Sequence, residues 1–314
     1  VAGNAVALKV PEPALAAVGS YQELEGELVV LAEDHLFASG ARGLASGRFL
    51  DGSEQLFVGS ASTLEVLNPD GSVALRRAVP KGIPQYFQLI PGPGDSQNLL
   101  IGNKPSSQMD LAVINSETPR ETTQSFYEVP EGHTYIRNWA RMRRRHIFYE
   151  DVDGDGNEEI ASEITGFWNR VSIWESDGTP ISNVQIGPGK RMPEHAIRDF
   201  DVADLEGDGT KEILVGKIDG DLVVLDHQLE LVWSKVLKSV PEVLTTVRPE
   251  GQEVRRIVVG LEDGTILMFD RQGNALSRGS IEGRPTEIAV VDGPRGPRVV
   301  FGTDEGVVAA FAVD

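Results

Sequence analysis

Thr286-Glu-Ile-Ala-Val-Val-Asp-Gly-Pro-Arg-Gly-Pro-Arg-Val-Val-Phe-Gly302, followed by Gly306-Val-Val-Ala-Ala-Phe311, is the stretch that decides how this chain folds. Two apolar runs of strand length flank a Gly/Pro turn, and a third run follows a second glycine turn. The same phrase recurs upstream. Second-strand ends fall at Gly19, Gly59, Gly102, Glu163, Gly216, Gly260 and Gly302, at intervals of 40, 43, 61, 53, 44 and 42 residues. Third strands align at Gly26-Glu-Leu-Val-Val-Leu31, Ser62-Thr-Leu-Glu-Val-Leu67, Gly220-Asp-Leu-Val-Val-Leu225 and Gly264-Thr-Ile-Leu-Met-Phe269. Turns such as Asn68-Pro-Asp-Gly71, Glu175-Ser-Asp-Gly178 and Asp270-Arg-Gln-Gly273 then lead into a fourth strand.

Each unit therefore reads as a four-stranded antiparallel meander, and units of about 40–45 residues with four short strands are the pattern of β-propeller blades. The expected fold is all-β, a propeller of seven blades within one, forming a single domain over residues 1–314. The last unit stops after its third strand. Its outer edge is open unless another segment supplies a strand, and the residues near Val1 are the only local candidate, a short one.

Composition bounds the chemistry. With 40% hydrophobic residues in short Val/Leu/Ile runs, the 314-residue chain carries enough apolar side chain for an extended core. A formal charge of −19 works against binding nucleic acid or anionic membranes. The absence of cysteine excludes disulfides, thiolate metal sites and cysteine nucleophiles. No apolar run approaches the roughly 20 residues of a membrane-spanning helix. The chain begins at Val1 rather than a methionine, so a signal sequence is expected to have been removed and the protein to be secreted, periplasmic or on the cell surface.

Two acidic loops occupy equivalent places: Asp151-Val-Asp153-Gly-Asp155-Gly-Asn157-Glu-Glu159 and Asp204-Leu-Glu206-Gly-Asp208-Gly-Thr210-Lys-Glu212. Alternating oxygen-bearing side chains on a glycine-rich turn suit a hard cation, and Ca2+ is the natural one, bound structurally. An EF-hand is excluded: its twelfth position needs a glutamate, and Ser162 and Val215 stand there.

At these loops the chain resembles the FG-GAP and VCBS repeats of integrin-α-like and bacterial extracellular propellers, whose calcium loop reads Asp-x-Asp-Gly-Asp-Gly-x-x-Asp/Glu. The resemblance implies two calcium ions, one held by Asp151, Asp153, Asp155, Asn157 and Glu159, the other by Asp204, Glu206, Asp208, Thr210 and Glu212, with Glu206 replacing an aspartate. The other units keep the strands but lack the ligands, as at Leu50-Asp-Gly-Ser-Glu54 and Asp292-Gly-Pro-Arg-Gly296. The segment Gly220 to Trp233 looks like the repeats of PQQ-type propellers, which reports blade architecture rather than a quinone.

The long intervals place extra residues ahead of the two acidic units. The first insertion carries Tyr135, Arg137, Trp139, Arg141 and Arg143, the second Arg191 and His195, and the link between them Trp168 and Arg170. In propeller topology these segments share one face, so they are expected to line a basic, aromatic ligand mouth. Guanidinium groups pair with carboxylates or sulfates, and aromatic faces stack on sugars. An acidic glycan or an acidic protein segment is the expected ligand of a recognition module. The alternatives are internal pairing of these arginines with the protein's own acids, and a polysaccharide lyase using Tyr135 or His133, His195 and Arg141 or Arg170 on a uronate.

Overall fold

The computed structural model of the chain describes residues 42–60, 63–79, 84, 86–102, 110–119, 121–125, 146–164, 169–186, 197–293 and 296–313. Every regular element among them is a strand. Five sheets have four strands in sequence order: β1 (Gly43–Arg48) to β2 (Glu54–Gly59), β3 (Thr63–Leu67) and β4 (Val73–Ala78); β5 (Tyr86–Pro91) to β6 (Gln97–Gly102), β7 (Asp110–Asn115) and β8 (Glu121–Ser125); β9 (Ile147–Glu150) to β10 (Glu159–Ile164), β11 (Arg170–Glu175) and β12 (Pro180–Gln185); β13 (Ile197–Ala203) to β14 (Glu212–Lys217), β15 (Asp221–Leu225) and β16 (Leu231–Val236); and β17 (Pro241–Val247) to β18 (Arg256–Leu261), β19 (Thr265–Phe269) and β20 (Ala275–Ser280). The sixth has three strands, β21 (Pro285–Gly293), β22 (Gly296–Thr303) and β23 (Val308–Ala312). All neighbouring strands are antiparallel.

The repeat positions read from the sequence fall where expected: each second-strand landmark from Gly59 to Gly302 lies within a second strand. The unit inferred around Gly19 to Leu31 lies outside the described residues.

Strand position within a sheet explains the two sequence patterns. Second and third strands are covered on both faces and read as continuous apolar runs, as in Leu222 to Leu225, all buried. Fourth strands are more exposed: β12 and β16 bury none of their residues fully, and β4 and β20 one each. Four of the five fourth strands are entered through a tight turn, with the N–H groups of Gly71, Gly178, Leu229 and Gly273 donating to the carbonyls of Asn68, Glu175, Asp226 and Asp270.

The described residues form two compact units. One contains the sheets β1–β4, β5–β8 and β9–β12; the other contains β13–β16, β17–β20 and β21–β23, with the loop tip Val152–Asp155. In the first, Phe57, Leu64, Leu99 and Ile101 form one inter-sheet core and Leu100, Ile160 and Trp174 another. In the second, Leu214, Leu222 and Val259 pack together, as do Val258, Met268, Phe301 and Phe311. First strands of successive sheets lie side by side: β1 by β5 and β5 by β9 in one unit, β13 by β17 and β17 by β21 in the other.

Candidate functional site

Both acidic loops join a first to a second strand, and both bend through paired glycines with positive φ: Gly154 (81°) and Gly156 (92°), Gly207 (77°) and Gly209 (96°). Glycine enters that region without the Cβ clash that other residues carry. The equivalence read from the sequence is therefore an equivalence of backbone.

The side chains differ. In the first loop one carboxylate oxygen each from Asp151, Asp153 and Glu159 lie within 4.8 Å of one another. Glu159 is buried, Asp151 half-buried and Asp153 exposed. Asp151 and Asp153 also accept main-chain N–H bonds from Gly156 and Asp155 at 3.1 Å each, which fixes the curl of the loop. Asp155 is not part of that trio. Three convergent hard oxygens with an exposed approach form the kind of donor set that suits a hard cation.

In the second loop, among the described residues, no three acids converge in this way. Asp204 accepts from the N–H groups of Gly207, Asp208 and Gly209. Asp208 accepts from the hydroxyl of Thr210 at 2.8 Å, and this bond holds its carboxyl below the usual range. Glu206 lies 3.8 Å from the Arg271 guanidinium. Glu212 accepts from Leu205 N–H at 2.9 Å, and burial raises its carboxyl above the usual range. The oxygens of this loop already serve its own backbone and a neighbouring arginine.

The opposite end of sheet β9–β12 is where the arginine-bearing segments attach. Register places Ile147 beside Ser162 and Ile164 beside Arg170, so the chain entering β9, the β10–β11 link and the chain leaving β12 share that end. Arg170 is the first residue of β11 and is buried. The other expected ligand residues, Tyr135, Arg137, Trp139, Arg141, Arg143, Trp168, Arg191 and His195, lie outside the described residues. At their base stands a group the motif reading did not assemble. Buried Glu163 accepts the His146 main-chain N–H at 2.9 Å and lies 3.2 Å from its Nδ1, while the Tyr86 ring packs 4.8 Å from the imidazole. The available signal for Glu163 was a charged residue at the place where five other second strands carry the landmark glycine.

A second missed pair is Asp199 and Asp201 on β13. Their carboxylates accept the N–H groups of Leu244 (2.6 Å) and Thr246 (3.0 Å), closing the free edge of β17. Desolvation pushes Asp201 up to about 7, offset in part by its main-chain hydrogen bonds.

Among solved structures, the chain is similar to BBS1N in complex with ARL6DN from a crystal soaked with lead, at 10% identity over 87% of this chain and 82% of that one, with a TM-score of 0.61. A mercury-soaked crystal of the same complex gives 12% identity, 87% and 78% coverage and a TM-score of 0.60. The fold is a β-propeller. BamB from Moraxella catarrhalis shares 16% identity over 87% of this chain and 85% of its own, at a TM-score of 0.47. No protein family and no curated protein matches the propeller's sequence. Among the described residues no helix is long and apolar enough to cross a membrane.

Proposed function

We propose that this propeller is a binding module whose partner is a protein, met through an acidic segment at the end of sheet β9–β12 opposite the acidic loop. The observation that carries the reading is the likeness along 87% of the chain to BBS1N, crystallised as a complex with ARL6DN. In support, the three arginine- and aromatic-bearing segments attach at one end of a single sheet. His146 and Arg170 stand there too, and buried Glu163 orients the first of them. In a chain of net charge −19, the arginines concentrated in these stretches of sequence would select acidic ligands by contact rather than by long-range field. Calcium belongs to the same reading as a structural ion in the first acidic loop, and a secreted or periplasmic setting suits it.

The test is direct binding of an acidic peptide, polyglutamate, and of an acidic glycan, hyaluronate, to the intact chain and to the Arg141→Ala/Arg143→Ala variant. Polyglutamate is expected to bind, and the double variant to weaken it about tenfold or more, since each charged contact contributes on the order of 1 kcal/mol. Unchanged affinity in the variant would place the site elsewhere. Preferred binding of hyaluronate would move the ligand class to glycans, and unsaturated uronate products would make the protein a lyase.

A further inference from the structure

Glu163 stands where the other described second strands carry the landmark glycine, at Gly59, Gly102, Gly216, Gly260 and Gly302. Register sets those glycines opposite Gly43, Tyr86, Asp199, Val243 and Glu287 of the first strands. The β9–β10 ladder pairs Ile147 with Ser162, and its next step puts His146 opposite Glu163. Tyr86 and His146 therefore hold the same place in successive sheets, which is why their rings meet at 4.8 Å.

A carboxylate in place of a glycine, with its side chain entirely buried, is costly unless cations or N–H donors surround it. Here one residue engages both oxygens: Oε2 accepts the His146 main-chain N–H at 2.9 Å, and Oε1 lies 3.2 Å from Nδ1. The Ser162 hydroxyl donates to the His146 carbonyl at 2.6 Å, so main chain and ring are held together. At the equivalent place Asp199 spends its carboxylate on the Leu244 N–H of the next sheet. His146 turns back instead to its own second strand. Its side chain keeps 16% exposure against none for Glu163, and Nε2 lies on the ring edge away from Glu163.

We propose that His146 is the specificity contact at this end of the sheet: held by Glu163, its imidazolium presents one fixed Nε2–H to a carboxylate of the ligand. This role rests on the proposed binding of an acidic segment at the same place. An ionised Glu163 beside the ring favours the charged imidazole and takes the Nδ1 proton, which leaves Nε2–H as the second donor. The Tyr86 ring, centred 4.8 Å away, also suits a cation. A charge-assisted N–H bond to a carboxylate is directional, and a ring already fixed at its main chain and at Nδ1 has little freedom left to lose on binding. An arginine on a long stem brings charge without that fixity.

Amide side chains separate the two edges of the ring, because asparagine places an N–H near the position of Nδ1 and glutamine one near that of Nε2. If the pair only braced the sheet, asparagine would serve. Binding of polyglutamate is measured on the intact chain, on His146→Asn and on His146→Gln, with a melting curve for each. His146→Asn is expected to weaken binding about tenfold, and His146→Gln to bind at least about threefold more tightly than His146→Asn. In the wild-type chain with nitrogen-labelled histidine, polyglutamate is expected to shift the Nε2 resonance of His146 more than that of Nδ1. Equal affinity in wild type and both folded variants, or imidazole signals of His146 that stay in place at saturation, would overturn this role and leave the binding of an acidic segment standing. A wild-type chain that binds no polyglutamate overturns both. Where a variant does not fold, the wild-type resonances decide alone.

Discussion

Asp201 shows how one residue ties the sheets to pH. Its carboxyl titrates at about 7 because burial penalises the charged form. A carboxyl whose pKa is higher folded than unfolded binds more protons in the native state across the interval between the two values. Its stabilising contribution is therefore complete below about pH 4, the ordinary aspartate value, and is lost as pH rises towards 7. Asp201→Asn abolishes the titration but also loses one of the two acceptor oxygens that serve Val202 and Thr246 N–H. The difference in urea-unfolding stability, wild type minus variant, is expected to fall with rising pH between about 4 and 7, by at most about 1.4 kcal/mol per unit. A difference independent of pH would show that Asp201 is ionised throughout. The Asp199-x-Asp201 alternation was visible in the sequence, with both acids on one face of a strand. Its meaning was not, because the groups it serves lie 45 residues away on β17.

Among elements, the second-strand glycines illustrate what the repeat reading captured and what it missed. Their positions set the period, and the structure supplies the reason three of them are glycine. A Cβ at Gly59 would lie 1.7 Å from the Pro84 carbonyl oxygen, at Gly216 3.2 Å from Pro241 side-chain carbons, and at Gly260 3.0 Å from Pro285. Each proline follows its glycine by 25 residues and opens or precedes the first strand of the next sheet. Glycine and proline thus meet from sheet to sheet, through the main-chain carbonyl at Pro84 and through side-chain carbons at Pro241 and Pro285. Gly302 is the exception, its nearest neighbour being Glu287 Cβ at 3.7 Å. Gly59→Ala is accordingly expected to lose about 1–3 kcal/mol or more, since a main-chain oxygen must move. Gly302→Ala should be neutral or gain up to about 1 kcal/mol from reduced chain entropy. Thermal melts of the two variants check this, and equal losses would refute the packing account. The Gly-to-Pro spacing was legible all along. Only the side-by-side placement of β1 with β5, β13 with β17 and β17 with β21 makes it a contact.

For the whole molecule, the dominant physical fact is 48 acids against 29 lysines and arginines. Nine of the acids sit in the two glycine-bent loops, and in the first of these the carboxylates of Asp151, Asp153 and Glu159 approach one another. The motif made the two loops look alike, and their backbones are alike. Their side-chain contacts depend on neighbours that a loop motif does not encode, such as Arg271 beside Glu206. We expect Ca2+ to raise the melting temperature through the Asp151, Asp153 and Glu159 trio, by mass action as RT ln(1 + [Ca2+]/Kd). About 2.7 kcal/mol follows at a hundredfold excess over Kd, which corresponds to a few degrees for a chain of this size. General screening of the −19 charge also stabilises, so the comparison must hold ionic strength constant with NaCl. Under that condition Asp153→Asn should remove most of the calcium response, and Asp208→Asn much less, because Asp208 is engaged with Thr210. Equal losses from the two variants would mean that both loops take the ion. A melt that follows ionic strength alone, whatever the cation, would mean that the acidic turns are held by their glycines and their own amides.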